Sequence, residues 1–191
     1  MLLELVAAAG LVAAPVSTES PTWKIDVAHS EISFRVRHYV TRVPGTFKTF
    51  EGTIVADPAD LAKGSVEVTI DAASIDTRNE RRDNHLRSSD FFAVDSFPTI
   101  TFKSTRVEAS GDALTIHGTL TMRGVTKPIV LAGEFSGVAG TPEPGKQKIG
   151  FTASTRLNRL DYGLRWNRLV EGSNMLGDDV EITLNIEATR Q

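Results

Sequence analysis

A strict alternation of apolar and polar residues runs through most of this chain and constrains its fold more than any other feature. In the segment 65–72, Val66, Val68 and Ile70 share one face and the intervening polar residues share the other. Side chains of a β-strand point alternately to its two faces, so this pattern predicts a strand with one buried face. The pattern recurs from Ile32 to Ile186, and no helical pattern alternates with it. We therefore predict an all-β chain of about eight or nine antiparallel strands.

A meander of such strands has to bury its apolar faces, either by packing two sheets together or by closing into a barrel. A barrel of about eight strands has an interior that side chains fill or that holds one small ligand. Gly52, Gly118 and Gly133 fall among large inward-facing residues. Glycine inside a strand marks either curvature or free space. These glycines are therefore compatible with two interpretations, namely bends in the barrel wall or room for an apolar ligand.

One segment breaks the period of two. Residues 77–80 fit a capping box in which Thr77 is the cap, and residues 79–87 carry helical charge spacing. This predicts a short helix over about 79–87, at one end of the barrel. The stretch 157–179 is predicted to be a long loop with one helical turn, because it is irregular and rich in glycine.

Residues 1–20 are set apart from the predicted folded domain, 21–191. Positions 2–16 form an apolar run that is too short to span a bilayer and is typical of the apolar region of a signal peptide. Glu4 lies inside this run, and no Lys or Arg precedes it. The segment 1–20 is therefore either a signal-peptide remnant or a disordered arm. No stable membrane insertion is expected.

The amino-acid composition excludes several kinds of functional site. The chain has no cysteine, which excludes disulfides, thiolate metal sites and cysteine nucleophiles. Its net charge of −3 gives no reason to expect nucleic acid as a partner. The four histidines have no metal-binding spacing, and no nucleophile or nucleotide-binding motif occurs. We predict no catalytic residues, no metal and no cofactor.

The order of motifs resembles that of the YceI-like family of lipocalin-like barrels. The opening WKIDVAHS at 23–30 is similar to the first strands of that family. The most specific match runs over 74–102, from SIDT through DNHL and DFF to FPTITF. The segments 114–128 and 177–182 resemble the central hairpin and the last strand. The resemblance covers about 23–188, which is essentially the whole predicted domain.

This resemblance implies an eight-stranded antiparallel barrel, exported to the periplasm or secreted, that holds a long-chain isoprenoid or a related lipid. Burial of an apolar chain is favourable by about 25 cal/mol per Å², so an apolar lumen suffices to bind one. The resulting prediction is non-catalytic binding, storage or transport of a polyisoprenoid or isoprenoid quinone. The alternative is a ligand-free interaction or stress-response module with a solid barrel. The sequence is compatible with a homodimer.

The alternation and the resemblance together name candidate ligand-binding residues. The predicted apolar lumen consists of Phe34, Val36, Phe50, Ile54, Val68, Ile70, Ile100, Phe102, Ile116, Leu120, Met122, Leu131, Phe135, Phe151 and Leu184. The predicted polar mouth consists of His38, Arg78, Arg81, Arg82, His85 and Trp166. Arginine and histidine are suited to a phosphate or quinone head group. The arginines also fit a solvated helix face, and His85 a structural hydrogen bond with Asp83.

Overall fold

The computed structural model describes residues 20–170 and 173–191, with side chains described outside 169–174. The predicted arm over 1–20 lies outside these residues, except for Ser20. The strands are β1 (Thr22–Ile25), β2 (Glu31–His38), β3 (Thr41–Phe47), β4 (Phe50–Asp57), β5 (Asp60–Asp71), β6 (Ile75–Asp76), β7 (Thr99–Ser110), β8 (Ala113–Met122), β9 (Val125–Gly140), β10 (Gln147–Asn158), β11 (Leu169–Val170), β12 (Ser173–Asn174) and β13 (Leu176–Arg190). The α-helix α1 spans Glu80–Arg87, and 3₁₀ turns span Val27–His29, Ala72–Ser74 and Arg159–Tyr162. No helix in this part of the chain is long and apolar enough to cross a membrane.

Eight strands form a closed antiparallel barrel, which confirms the predicted fold class. Around the ring they follow the order β1, β4, β5, β7, β8, β9, β10 and β13, and β13 pairs back to β1. The end of β13 closes the ring, with Arg190 opposite Trp23. The earlier part of β13 pairs with β2, whose hairpin with β3 extends the wall beyond β1 and β4. Closure gives every strand of the eight-stranded ring a partner on both sides.

The two ends of the barrel differ. The lower end carries the β4–β5 and β7–β8 turns together with the start of β1 and the end of β13. Trp23 is fully buried there, and its indole N–H donates to the Ala56 carbonyl at 2.9 Å. The upper end carries α1, the segment from α1 to β7, and the connection from β10 to β13. Four residues of the predicted mouth lie on these upper elements, namely Arg81, Arg82, His85 and Trp166.

The strand glycines serve close packing. A Cβ atom on Gly118 would lie 2.4 Å from the ring of Phe102, so the ring occupies the space beside the bare backbone. Gly52 and Gly133 lie against backbone carbonyls of neighbouring strands, 2.8 and 2.9 Å from where their Cβ atoms would be. These glycines let rings and strands approach one another. They do not create the interior space of the barrel.

The helix α1 lies where it was predicted, but its cap was predicted wrongly. Asn79 caps it, with the side-chain oxygen accepting a hydrogen bond from the Arg82 N–H at 3.0 Å. Arg78 adopts a left-handed backbone conformation, with φ of 61°, and this separates Thr77 from the helix. Thr77 is instead buried and donates its N–H to the Asp83 carboxylate at 2.9 Å. The loop after β10 contains the expected helical turn, at Arg159–Tyr162.

Candidate functional site

A large apolar cavity occupies the interior of the barrel. Its volume is about 1010 Å³, at the upper end of the range for pockets that take small molecules. Most of the residues that line it are aliphatic or aromatic side chains from the inward faces of the strands. Leu86, Phe91 and Phe92 add apolar side chains from the upper end, where α1 and the segment after it cross the opening.

Thirteen of the fifteen side chains predicted for the lumen line this cavity. Phe50 and Phe135 do not. Phe50 is buried in the packed core. Phe135 is half-buried and packs on Phe151, with ring centroids 5.3 Å apart. Both residues occupy inward-facing positions on their strands, as the alternation predicts. They are packed among neighbouring side chains and do not reach the cavity.

The upper opening is bordered by an aromatic cluster around His85. The imidazole lies edge-on to Phe91 and to Trp166, with ring centroids 5.1 and 4.8 Å away. Its Nε2 atom lies 2.8 Å from a carboxylate oxygen of Asp90. The partner of His85 is therefore Asp90, whereas the sequence indicated Asp83. His38 also lines the cavity and lies edge-on to Tyr39, at 4.8 Å.

The three arginines of the predicted mouth have different positions. Arg82 lines the cavity, and its guanidinium donates to the Thr77 hydroxyl at 2.7 Å and to the Thr77 carbonyl at 2.8 Å. Arg81 lines the cavity and is exposed, without a hydrogen-bond partner among the described residues. Arg78 is exposed and does not line the cavity. Arg81 is the cation best placed to meet an anionic group at this opening.

Sequence reasoning missed Arg159, the most buried cation among the described residues. Its side chain is 5% exposed and lines the cavity. The guanidinium donates to the carbonyls of Gly177, Leu164 and Trp166, and lies 3.2 Å from the carboxylate of Asp178. Burial lowers its pKa from the ordinary arginine value, and the nearby Asp178 opposes that shift. Arg159 thus joins the loop after β10 to the start of β13 at the upper end.

Tyr162 follows on the same 3₁₀ turn and is 2% exposed. Among the described residues its hydroxyl is a buried side-chain group without a hydrogen-bond partner. Burial raises the pKa of this hydroxyl, and the charge of Asp161 raises it further. The group therefore stays protonated and uncharged.

Replacement of Tyr162 by phenylalanine is expected to stabilise the protein. The substitution keeps the packed ring and removes a hydroxyl whose burial without a partner costs about 1–3 kcal/mol. We expect a gain of about 1 kcal/mol in the free energy of unfolding, measured in urea. Tyr39→Phe, at an exposed position, is the control and should change little. A clear loss of stability in Tyr162→Phe would mean that the hydroxyl has a partner.

A second group of charged side chains lies on the outer wall. Asp26, His29 and Glu187 bring ligand-type atoms within 4.8 Å of one another, an arrangement that their separation in sequence does not reveal. Lys148 occupies the same cluster, with its ammonium 3.3 Å from Asp26 and in contact with Glu187. The hydrogen bond from His29 lowers the pKa of Asp26. This lysine supplies the positive charge that a metal would supply, so the cluster is a salt-bridge network.

Comparisons with known proteins agree with this architecture. A family model described as the YceI-like domain matches residues 23–188. A UPF0312 protein of Vibrio cholerae is 39% identical over 167 residues, which cover 85% of this chain and 88% of that protein. A UPF0312 protein of Staphylococcus aureus is 38% identical over 164 residues, covering 85% and 94%.

Solved structures show the same fold. A YCEI protein of Campylobacter jejuni is 35% identical and superposes with a TM-score of 0.70, covering 80% of this chain and 87% of that one. BcnA of Burkholderia cenocepacia is 24% identical with a TM-score of 0.75, covering 86% and 99%. A structure from Saccharophagus degradans, described as a polyisoprenoid-binding domain, is 15% identical with a TM-score of 0.68, covering 90% and 100%.

Proposed function

The chain belongs to the YceI-like family, and on that premise we propose that it binds a long-chain apolar lipid in its barrel, without catalysis. The ligand class is a polyisoprenoid or an isoprenoid quinone, and the role is storage or transport. The observation that carries the proposal is the apolar cavity of about 1010 Å³ inside a closed barrel. The proposal includes a periplasmic or secreted location, which the apolar run at 2–16 supports.

The cavity lining supports a lipid over a polar metabolite. Aliphatic and aromatic side chains provide contact area without directional bonds, so binding follows the apolar area that is buried, at about 25 cal/mol per Å². A flexible hydrocarbon chain is the ligand class that gains most from such a surface. The polar groups at the upper opening, among them Arg81 and His85, would orient the head group.

One solved structure of this fold is described as a polyisoprenoid-binding domain. At 15% identity the likeness concerns the fold, so it supports a barrel of this shape as a lipid container. The choice of a polyisoprenoid for the present chain rests on that support together with its own apolar lining.

The alternative of a solid barrel fits the structure less well. A solid interior would be packed at the density of an organic crystal, with few voids larger than a water molecule. The observed cavity is far larger than such voids. An enzyme acting on a bound lipid would need an acid and a base converging inside the lumen. The histidines that line the cavity, His38 and His85, lie on β2 and α1, and His85 is paired with Asp90 outside the apolar space.

The proposal is tested by native mass spectrometry of the purified protein, followed by organic extraction and identification of any released lipid. We expect an adduct that matches an isoprenoid lipid, or an apo protein that gains one on incubation with undecaprenyl phosphate. A clean apo mass that stays unchanged after incubation with polyprenyl lipids would overturn the proposal and favour the ligand-free module.

A further inference from the structure

The wall of the barrel is not hydrogen-bonded along its whole height. Pairing between β9 and β10 ends at Ala132 and Ser154, although both strands continue toward the upper end. Residues 128–131 of β9 and 155–158 of β10 therefore face one another without backbone pairing. We call these two stretches the seam. The outer sides of the same strands remain paired with β8 and β13 here. The pairing of β5 with β7 also stops part-way, at Glu67 and Lys103, but the residues that line both the inner cavity and an outer groove lie at the β9–β10 seam.

The sequence at the seam fits an unpaired edge. Pro128 lies within it and has no N–H to donate to a ladder, which is why proline occurs at strand edges. Lys127 and Asp161 lie beside it, with the ammonium 3.6 Å from the carboxylate. Both side chains are well exposed, and an exposed ion pair contributes little to stability. Side-chain packing, and not a ladder, holds this part of the wall together.

Only one layer of side chains separates the lumen from solvent here. A groove of about 840 Å³ runs along the outside of the seam, and Tyr162 lines it. Ile129, Thr155 and Leu157 line both this groove and the inner cavity. The hydroxyl of Tyr162 has no partner among the described residues. No side-chain hydrogen bond among the described residues therefore holds this ring in place.

The ends of the barrel are fastened more firmly. At the upper end, Arg87 donates to the carbonyls of Ala73 and Ile75 at 2.7 and 2.9 Å, which attaches α1 to the chain before it. Arg123 donates to the Ser89 carbonyl at 2.8 Å and holds the segment after α1. At the lower end, the buried Trp23 is hydrogen-bonded to the wall. By contrast, the seam has no such bond across it within the described residues.

We propose that the seam is a second, lateral opening of the cavity, through which the far end of a lipid tail leaves the barrel when the tail exceeds the lumen. The inference rests on the proposed function. A cavity of about 1010 Å³ has the size of a pocket for a small molecule, so it holds a short isoprenoid whole but not a long one. The occupant of the seam is the hydrocarbon part of the chain, which passes between Ile129 and Leu157.

The absence of cysteine allows the seam to be locked chemically. Extension of the Ala132–Ser154 register by two residues places Val130 opposite Arg156, and both are exposed. The double variant Val130→Cys/Arg156→Cys, joined by a short thiol-reversible bis-thiosulfonate, would hold the seam closed. Ala132→Cys/Ser154→Cys, joined in the same way within the paired part of the ladder, is the matched control. Binding of undecaprenyl phosphate and of the shorter geranylgeranyl phosphate is then measured for each.

The locked seam is expected to weaken binding of undecaprenyl phosphate about tenfold, because the excluded tail loses apolar burial. Binding of geranylgeranyl phosphate should be unchanged, and a reducing agent should restore the long lipid. The control pair should alter neither. Equal affinity of locked and unlocked seam for the long lipid, or an equal loss of both lipids, would overturn the inference. If the unmodified protein binds neither lipid, the proposed function itself fails, which is a distinct result.

Discussion

Arg159→Met is expected to be the most destabilising single substitution at the upper end of the barrel. Methionine keeps much of the side-chain volume but cannot donate hydrogen bonds to Gly177, Leu164 and Trp166, which now accept from the guanidinium. Unsatisfied buried acceptors cost about 1–3 kcal/mol each, so we expect a loss of about 3 kcal/mol or more in the free energy of unfolding. Urea denaturation followed by tryptophan fluorescence measures it.

A second arginine from the same part of the chain supplies the control. Arg156 is exposed and pairs with Glu181, so Arg156→Met should cost no more than about 1 kcal/mol. Arg159→Lys should recover little of the lost stability, because an ammonium cannot reproduce the forked geometry of a guanidinium. If Arg159→Met costs no more than Arg156→Met, the loop after β10 is not held by this side chain.

Ala153→Trp is expected to produce the largest loss of ligand binding. Ala153 lines the cavity from β10, and an indole there fills space that the proposed lipid would occupy. Displacement of about 100 Å² of lipid contact removes roughly 2.5 kcal/mol, which is close to a hundredfold in affinity. Titration with geranylgeranyl phosphate, monitored by native mass spectrometry, gives the affinity of each variant.

The neighbouring strand provides the matched control for this substitution. Ala132 lies on β9, is exposed, and faces outward from the same region of the wall. Ala132→Trp adds the same side chain without entering the cavity, so its affinity should equal that of the wild type. Equal affinities of Ala153→Trp and Ala132→Trp would show that the lipid does not bind inside the barrel.

The alternation of residues was sufficient to predict most of the strands, and thirteen of the fifteen side chains predicted for the lumen line the cavity. Parity along a strand decides which face a side chain joins, and closure then turns every apolar face inward. Parity does not decide how deeply a side chain is packed. Phe135 illustrates this, because its ring lies against Phe151 and not against open space. Near Phe151 the register also shifts at a bulge in β9, where Ser136 is left without a partner on β10, and no periodicity reveals this.

The polar parts of the site were less predictable because they depend on backbone conformation and long-range register. The capping motif at Thr77 was plausible locally, but the left-handed conformation of Arg78 moved the cap to Asn79. The role of Arg159 depends on carbonyls that belong to its own loop and to β13. The seam depends on where one ladder stops. Neither the cap at Asn79 nor the contacts of Arg159 leave a pattern in neighbouring residues, and Pro128 at the seam does not by itself locate the end of the ladder.

The pairing of β1 with β13 also has a consequence for synthesis of the chain. Trp23, which faces Arg190 in the finished barrel, leaves the ribosome long before Arg190 does. Until the fifteen residues of β13 are made, β1, β2 and β10 each lack one neighbouring strand, and the nascent sheet exposes unpaired strand edges and an apolar face. Such a chain folds late and depends on contacts between distant residues. The unclosed sheet therefore stays accessible to chaperones until β13 is made.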